Sequence, residues 1–214
     1  MPTSARVRAT LPMLGLVLLA LTALVTVGVD KTVARGLSAT TPAPLWRDAL
    51  GAIDRSTGWL VWKWLPTVIV VAVAALALAL PPLRRYARGL ALVALVHGAT
   101  KLILLYAKPG LGRLRPSEWL AAGGDGSFFA GGVGFPSGHT GHYLSIALPL
   151  AVAWPRVGLP LLVVPAFASM SRVVTNAHFV SDVLGSAALV VLLTWLGAVA
   201  LKVGAPSRSL AGRA

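Results

Sequence analysis

Apolar residues gather into runs near Leu11–Val29, Trp59–Leu80, Leu90–Ala107, His139–Trp154, Val157–Met170 and Phe179–Leu201, separated by short polar clusters. The first, second and last reach the roughly 20 residues that carry a helix across a hydrocarbon core. Leu90–Ala107 is slightly short, and His139–Trp154 and Val157–Met170 clearly so. The pattern predicts an all-α, polytopic membrane protein, a bundle of six transmembrane helices forming a single domain over residues 1–214. Between the first two runs, Leu45, Trp46, Ala49, Leu50 and Ile53 recur at helical spacing within Pro44–Gly58, offset from Arg47, Asp48, Asp54 and Arg55. That predicts a helix lying in the membrane interface, as a connector or as a lid. Trp59, Trp62 and Trp64 follow where an aromatic belt is expected.

Composition agrees: 57% hydrophobic residues, 12% charged and a mean hydropathy of +0.80 exclude an ordinary soluble domain. A net charge of +13 would suggest nucleic acid in a soluble protein, but here the placement of charge matters more and no nucleic-acid partner is expected. Threading six spans from a cytoplasmic N-terminus puts Arg6, Arg8, Arg84, Arg85, Arg88, Arg156, Lys202, Arg208 and Arg213 on one side. Asp30, Asp48, Asp54, Glu118, Asp125 and Asp182, all the acids of the chain, fall on the other. This positive-inside pattern predicts a multi-pass protein of a bacterial-type inner membrane with both termini cytoplasmic. The first run follows Arg6 and Arg8 and has no convincing cleavage site after it, so it reads as a retained anchor. Without cysteine there is no disulfide, thiolate nucleophile or cysteine-bound metal.

The outward-facing clusters are Lys108, Arg115 and Pro116; Pro136-Ser137-Gly138-His139; and Ser171, Arg172, His178 and Asp182. Ionisable groups at the mouths of membrane helices are costly, and phosphate chemistry accounts for them. Lys108, Arg115 and Arg172 supply the fixed positive charge that a transferring phosphoryl group needs. Ser137, Gly138 and His139 open an apolar helix, so their amides and the Ser137 hydroxyl can meet an anion there. His178 and Asp182, four apart, share one helical face; the carboxylate would fix the ring's tautomer and leave its other nitrogen to attack phosphorus. His139 is then available to protonate the leaving oxygen and later to activate water.

A metal reading competes: His139, His142, His178 and Asp182 are all possible zinc ligands. The converging cations oppose a divalent ion and favour an anion, so no metal and no cofactor is expected. His142 reads as packing beside the site. His97, Lys101 and Lys108 form a polar stripe on one helical face, where Lys101 either neutralises a second headgroup anion or bonds to backbone. The Gly-rich segment Gly123–Gly134 lacks the lysine and serine or threonine ending of a nucleotide-binding loop. It is expected to be flexible cover, with Phe128 and Phe129 dipping into lipid or lying on the surface.

These clusters resemble the signatures of the type-2 phosphatidic acid phosphatase superfamily of membrane lipid phosphatases. Lys108-x6-Arg115-Pro116, Pro136-Ser137-Gly138-His139 and Ser171-Arg172-x5-His178-x3-Asp182 match its three motifs in order. The resemblance implies a helical bundle and a metal-independent, two-step hydrolase reaction. In it His178 becomes a phosphohistidine, Asp182 orients it, His139 acts as acid and then base, and Lys108, Arg115, Ser137, Gly138 and Arg172 bind phosphate. Expected substrates and partners are membrane lipids: a phospholipid, a polyprenyl phosphate or diphosphate, or a lipid A-type molecule. Other readings of the same residues are a lipid phosphotransferase sharing the intermediate and a non-catalytic transporter that recognises phosphate.

Overall fold

The computed structural model describes residues 4–204; Arg208 and Arg213 lie outside the described residues. The chain runs as α1 (Ser4–Gly28), α2 (Asp30–Ser38), α3 (Leu45–Ser56), α4 (Leu65–Ala79), a 3₁₀ turn (Pro81–Leu83), α5 (Arg84–Leu111), α6 (Pro116–Ala121), α7 (Gly138–Ala153), α8 (Pro155–Leu161), α9 (Val163–Val174) and α10 (Val180–Ala200). No strand occurs among the described residues beyond an isolated bridge between Arg113 and Phe129.

Among the described residues the helices long and apolar enough to cross a membrane are four: α1 from Arg6, Pro81–Leu111, Pro155–Val174 and α10. This redraws the expected spans. The run at Trp59–Leu80 makes only the 15-residue α4, because Pro66 sets the start of the helix and Trp59, Trp62 and Trp64, which follow Gly58 at φ 75°, lie in the loop before it. Leu90–Ala107, expected to be short, lies inside the 28-residue α5. Val157–Met170 is lengthened by its flanks into the α8–α9 pair, broken near Leu162. Apolar side chains on α1 such as Leu16, Leu19 and Leu24 stay exposed, as expected of a lipid-facing surface. The helix expected over Pro44–Gly58 is present as α3; α2 and α6 were not anticipated.

The 16-residue α7 is the centre of the bundle, flanked by α5, α9, α10 and α1. It is buried along most of its length, and Leu148 and Val152 join Leu92, Val96, Val190 and Leu11 in the principal core. Close approach depends on small residues: a Cβ at Gly141 would stand 2.7 Å from Leu104 Cδ1, so this glycine lets α5 seat against α7. His97 links α4, α5 and α7, with Nε2 3.1 Å from the Thr67 hydroxyl and Nδ1 2.7 Å from that of Ser145.

The segment Gly123–Gly134 is not loose cover. Leu114 N donates to Phe128 O at 2.7 Å, Ala130 N to Gly112 O at 3.0 Å and Gly134 N to Arg113 O at 2.6 Å. Phe128 is buried against Trp119 and Phe179, whereas Phe129 remains exposed. Gly132 and Gly134 serve close packing: a Cβ at Gly132 would fall 2.5 Å from Arg113 O and 2.6 Å from Leu114 Cα, and one at Gly134 2.7 Å from Leu114 O. Gly132→Ala should therefore cost about 1–3 kcal/mol, as overpacking against backbone does. A lower thermal unfolding midpoint in detergent checks this, and an unchanged midpoint would show that the loop yields freely.

Candidate active site

The site forms where four chain segments end together. Lys108 lies in the last turn of α5, which stops at Gly112 in the left-handed conformation, φ 62°. The chain then turns inward at Arg113 and reaches Arg115, the N-cap of α6, whose amide donates to Glu118 Oε2 at 2.7 Å. Ser137 caps α7, so Gly138 and His139 occupy its first turn. Arg172 is near the end of α9, and its carbonyl accepts the amides of Ala177 and His178, each at 3.0 Å.

Hydrogen bonds tie these ends to each other. Lys108 Nζ donates to Pro136 O at 2.6 Å and to Val133 O at 3.1 Å. Ser137 N donates to Asp182 O at 3.0 Å, and Ser186 Oγ to Ser137 O at 2.8 Å. The Ser137 amide, expected to be available to an anion, is thus already taken, and its buried hydroxyl accepts from Thr140 at 3.2 Å. The amides of Gly138 and His139 precede the first turn's closing bond, from Gly141 N to Ser137 O, and keep the helix-terminal polarity that suits an anion.

A cavity of about 570 Å³ opens here, lined by Lys108, Arg115, Gly138, His139 and Arg172, and beyond them by Lys101, Lys63, Trp59 and Trp64. Ser137, His142, His178 and Asp182 do not line it. Among the described residues, none of these lysines or arginines is in ion-pair contact with a carboxylate. A set of cations with no carboxylate in ion-pair contact, gathered around a hollow, suits an anion.

Each of the two candidate catalytic histidines has its own carboxylate. His178 Nδ1 donates to Asp182 Oδ2 at 3.1 Å, an oxygen that also caps α10 by accepting Phe179 N at 2.9 Å. Burial pushes the His178 imidazole down to about 4; its hydrogen bond and attraction to Asp182 oppose this, and the charges of Lys108 and Arg172 add to it. At neutral pH the ring is uncharged. His139 Nε2 lies 3.1 Å from Asp54 Oδ2 on α3, while the Tyr143 hydroxyl donates to Asp54 Oδ1 at 2.5 Å. Burial alone would raise the Asp54 carboxyl, but hydrogen bonds from His139 and Tyr143, with the charges of His139 and Arg172, hold it below the ordinary range.

Asp54 was missed as a site residue, although a signal existed: it follows Leu50 by four positions, and both are buried on α3. An acid on the apolar face of an amphipathic helix requires a partner. The same holds for Asp30 and Ala34 on α2. Asp30 Oδ2 accepts from Arg113 at 2.6 Å and also from the Ser181 hydroxyl, and Oδ1 accepts Ser181 N at 3.1 Å. Arg113 reaches Ser181 Oγ at 2.7 Å and lies 3.1 Å from Asp182 Oδ1, in ionic contact but not aligned for a hydrogen bond. Its guanidinium is 4.7 Å and 4.8 Å from the ring centres of Phe128 and Phe179.

The alternative metal set does not assemble: among the described residues no group of three or more histidines and acids is disposed to hold an ion. His142 packs between Trp59 and His97, at 4.2 Å and 5.1 Å between ring centres, with neither ring nitrogen hydrogen-bonded. Lys101 bonds to backbone, donating to Lys63 O at 2.9 Å.

Arg113→Met would leave Asp30 and Asp182 buried without their cation and should cost about 3–5 kcal/mol. Thermal unfolding in detergent reads this, and a loss below about 1 kcal/mol would mean that the carboxylates find other partners.

The comparisons place the chain among known proteins. No curated protein matches it. Among solved structures it is similar to the first transmembrane PAP2 type phosphatidylglycerolphosphate phosphatase from Bacillus subtilis. The TM-score is 0.58 and the identity 24%, over 88% of this chain and 94% of that one. The family model of the PAP2 superfamily matches residues 82–203, which hold all three clusters. With that match spanning more than half of its length, the chain belongs to the PAP2 superfamily.

Proposed function

We propose that this protein is a membrane lipid phosphatase that hydrolyses a phosphomonoester or diphosphate through a phosphohistidine, with no metal taking part. One observation carries the reading: a cavity lined by Lys108, Arg115, Arg172 and His139, its cations in no ion-pair contact with a carboxylate, with the buried His178–Asp182 pair tied to the Arg172 carbonyl behind its wall.

The cations and the amides of Gly138 and His139 hold the phosphate. Nε2 of His178, the ring nitrogen not bonded to Asp182, attacks phosphorus. The bond from phosphorus to the lipid oxygen breaks, and its electron pair leaves with that oxygen, which takes a proton from His139. Water then attacks the phosphohistidine, His139 takes its proton, and the P–N bond returns its pair to His178. Asp54 fixes the tautomer of His139 at Nε2 and leaves Nδ1 to give and receive the proton. Ser137 contributes by position, holding the start of α7 against α10. Substrates in scope are a phosphatidic acid, a phospholipid with a terminal phosphate, a polyprenyl phosphate or diphosphate, and a phosphorylated lipid A-type molecule.

The test is phosphate release from such lipids by purified protein in detergent with EDTA present. His178→Ala should lower kcat by at least about 10³-fold. Turnover surviving in that variant would remove the covalent step, and wild-type loss in chelator would revive a metal. The nucleophile must be neutral, so kcat/KM should fall as the pH drops through about 4, rather than through the 6.5 of a free imidazole. An acid limb near 6.5 would contradict an essential buried His178.

The same reading puts the cavity on the outward side of an inner membrane, with both termini in the cytoplasm and six crossings once the short α4 and α7 are included. It is supported by charge: Arg84, Arg85 and Arg88 start α5 at the end remote from Lys108, and Arg156 starts α8 at the end remote from Arg172. The chain contains no cysteine, so single cysteines can be introduced cleanly. A cysteine at exposed Phe129 should react with an impermeant maleimide in intact cells, and one at Arg156 only after lysis. The opposite pattern would invert the topology.

A further inference from the structure

The cavity is more positive than one phosphate requires. Lys108, Arg115 and Arg172 surround its catalytic end, yet Lys101 and Lys63 line it as well, beside Trp59 and Trp64. Lys101 is only 9% exposed. Its ammonium has three N–H groups, and among the described residues only the bond to Lys63 O is made. The nitrogen lies 4.1 Å from the ring centre of Trp59 and 5.3 Å from that of Trp64. These contacts hold the charge in place without neutralising it.

A nearly buried cation with no counter-ion is costly for folding and is explained by a ligand that supplies the missing charge. Lys101 precedes Lys108 by seven residues on α5, about 10 Å along the helix axis. It therefore serves a point deeper in the cavity than the scissile group. The wall between them, Leu104, Leu105 and Pro109, is apolar or carries no charge. The indole faces add a surface on which the carbon chain next to an anion can rest.

We propose that Lys101 and Lys63, framed by Trp59 and Trp64, form a second anion subsite that receives a second phosphate of the same lipid, so that the protein prefers doubly phosphorylated substrates. This rests on the phosphatase reading above and narrows its substrate class. The second phosphate is either joined directly, as in a prenyl diphosphate, or set off as a phosphodiester from a terminal monoester.

The experiment compares kcat/KM on three short-chain lipids in detergent: phosphatidic acid, a phospholipid with a diester and a terminal monoester, and a prenyl diphosphate. Wild type is run with Lys101→Met, with Lys101→Arg, which keeps the charge, and with Lys63→Gln at an exposed position. In Lys101→Met the ratio of kcat/KM for a two-phosphate lipid to that for phosphatidic acid should fall about tenfold, the worth of one charge-assisted contact. Lys101→Arg should restore most of it, and Lys63→Gln should lower the same ratio. Whichever two-phosphate lipid shows the fall identifies how the second anion is attached. Should Lys101→Met fail to fold, the Lys63→Gln ratio and wild-type inhibition by inorganic pyrophosphate against phosphate decide; pyrophosphate should inhibit about tenfold more tightly. Ratios equal to wild type in every folded variant overturn the subsite and leave the phosphatase standing. Failure of wild type to release phosphate from any of the lipids overturns both.

Discussion

A guanidinium enclosed by aromatic rings and shared by two carboxylates holds this molecule's working parts in register. Arg113 joins Asp30 of α2 to Asp182 of α10, and the oxygen of Asp182 that it does not touch caps α10 and holds His178. Removing the cation would leave two buried carboxylates unpaired, and removing them would leave a buried guanidinium without its partners. Because Asp182 also offers its carbonyl to Ser137 N, the start of α7 is set by the same residue. The chain of dependence runs from one buried ion cluster to His178 and then to the start of α7.

Around this neutralised centre the structure arranges charge that is not neutralised. Lys108 is fixed by carbonyl oxygens, which orient an ammonium without cancelling it. Arg115 and Arg172 have no ion-pair partner among the described residues. Arg113 thus differs from its neighbours in having its charge balanced in place. Preorganised positive charge of this kind stabilises a phosphoryl group without reorganisation during reaction.

Much of the plan was legible in the chain, for physical reasons. His178 and Asp182 are brought together, but not on one helical face: α10 begins at Val180 after the extended Phe179, and the Asp182 carboxylate reaches back over the helix start to the imidazole. The clusters at the ends of apolar runs had to lie where helices begin or stop, and Lys108, His139 and Arg172 do. What escaped was set by contacts between distant segments. Asp54 meets His139 across 85 positions, and Arg113 meets Asp30 across 83. Phe128 looked like part of a mobile loop because local composition cannot reveal that its ring covers a buried guanidinium. The run at Trp59–Leu80 had the hydropathy of a span, but a glycine and a proline decided where its helix starts.

The two histidines are secured in unlike ways. The carboxylate of His178 sits in the first turn of the helix that follows it, so that pair persists for as long as α10 begins where it does. The carboxylate of His139 belongs to α3, which is docked by the stacking of Trp46 on Phe167, the bond from Ser171 Oγ to Trp46 O and the burial of Leu50. Elements docked through few contacts open before the rest of a protein does. Under the proposed mechanism proton transfer is consequently more fragile than the architecture: the bundle can remain intact, with His178 still held by Asp182, after the arm that steadies His139 has come away.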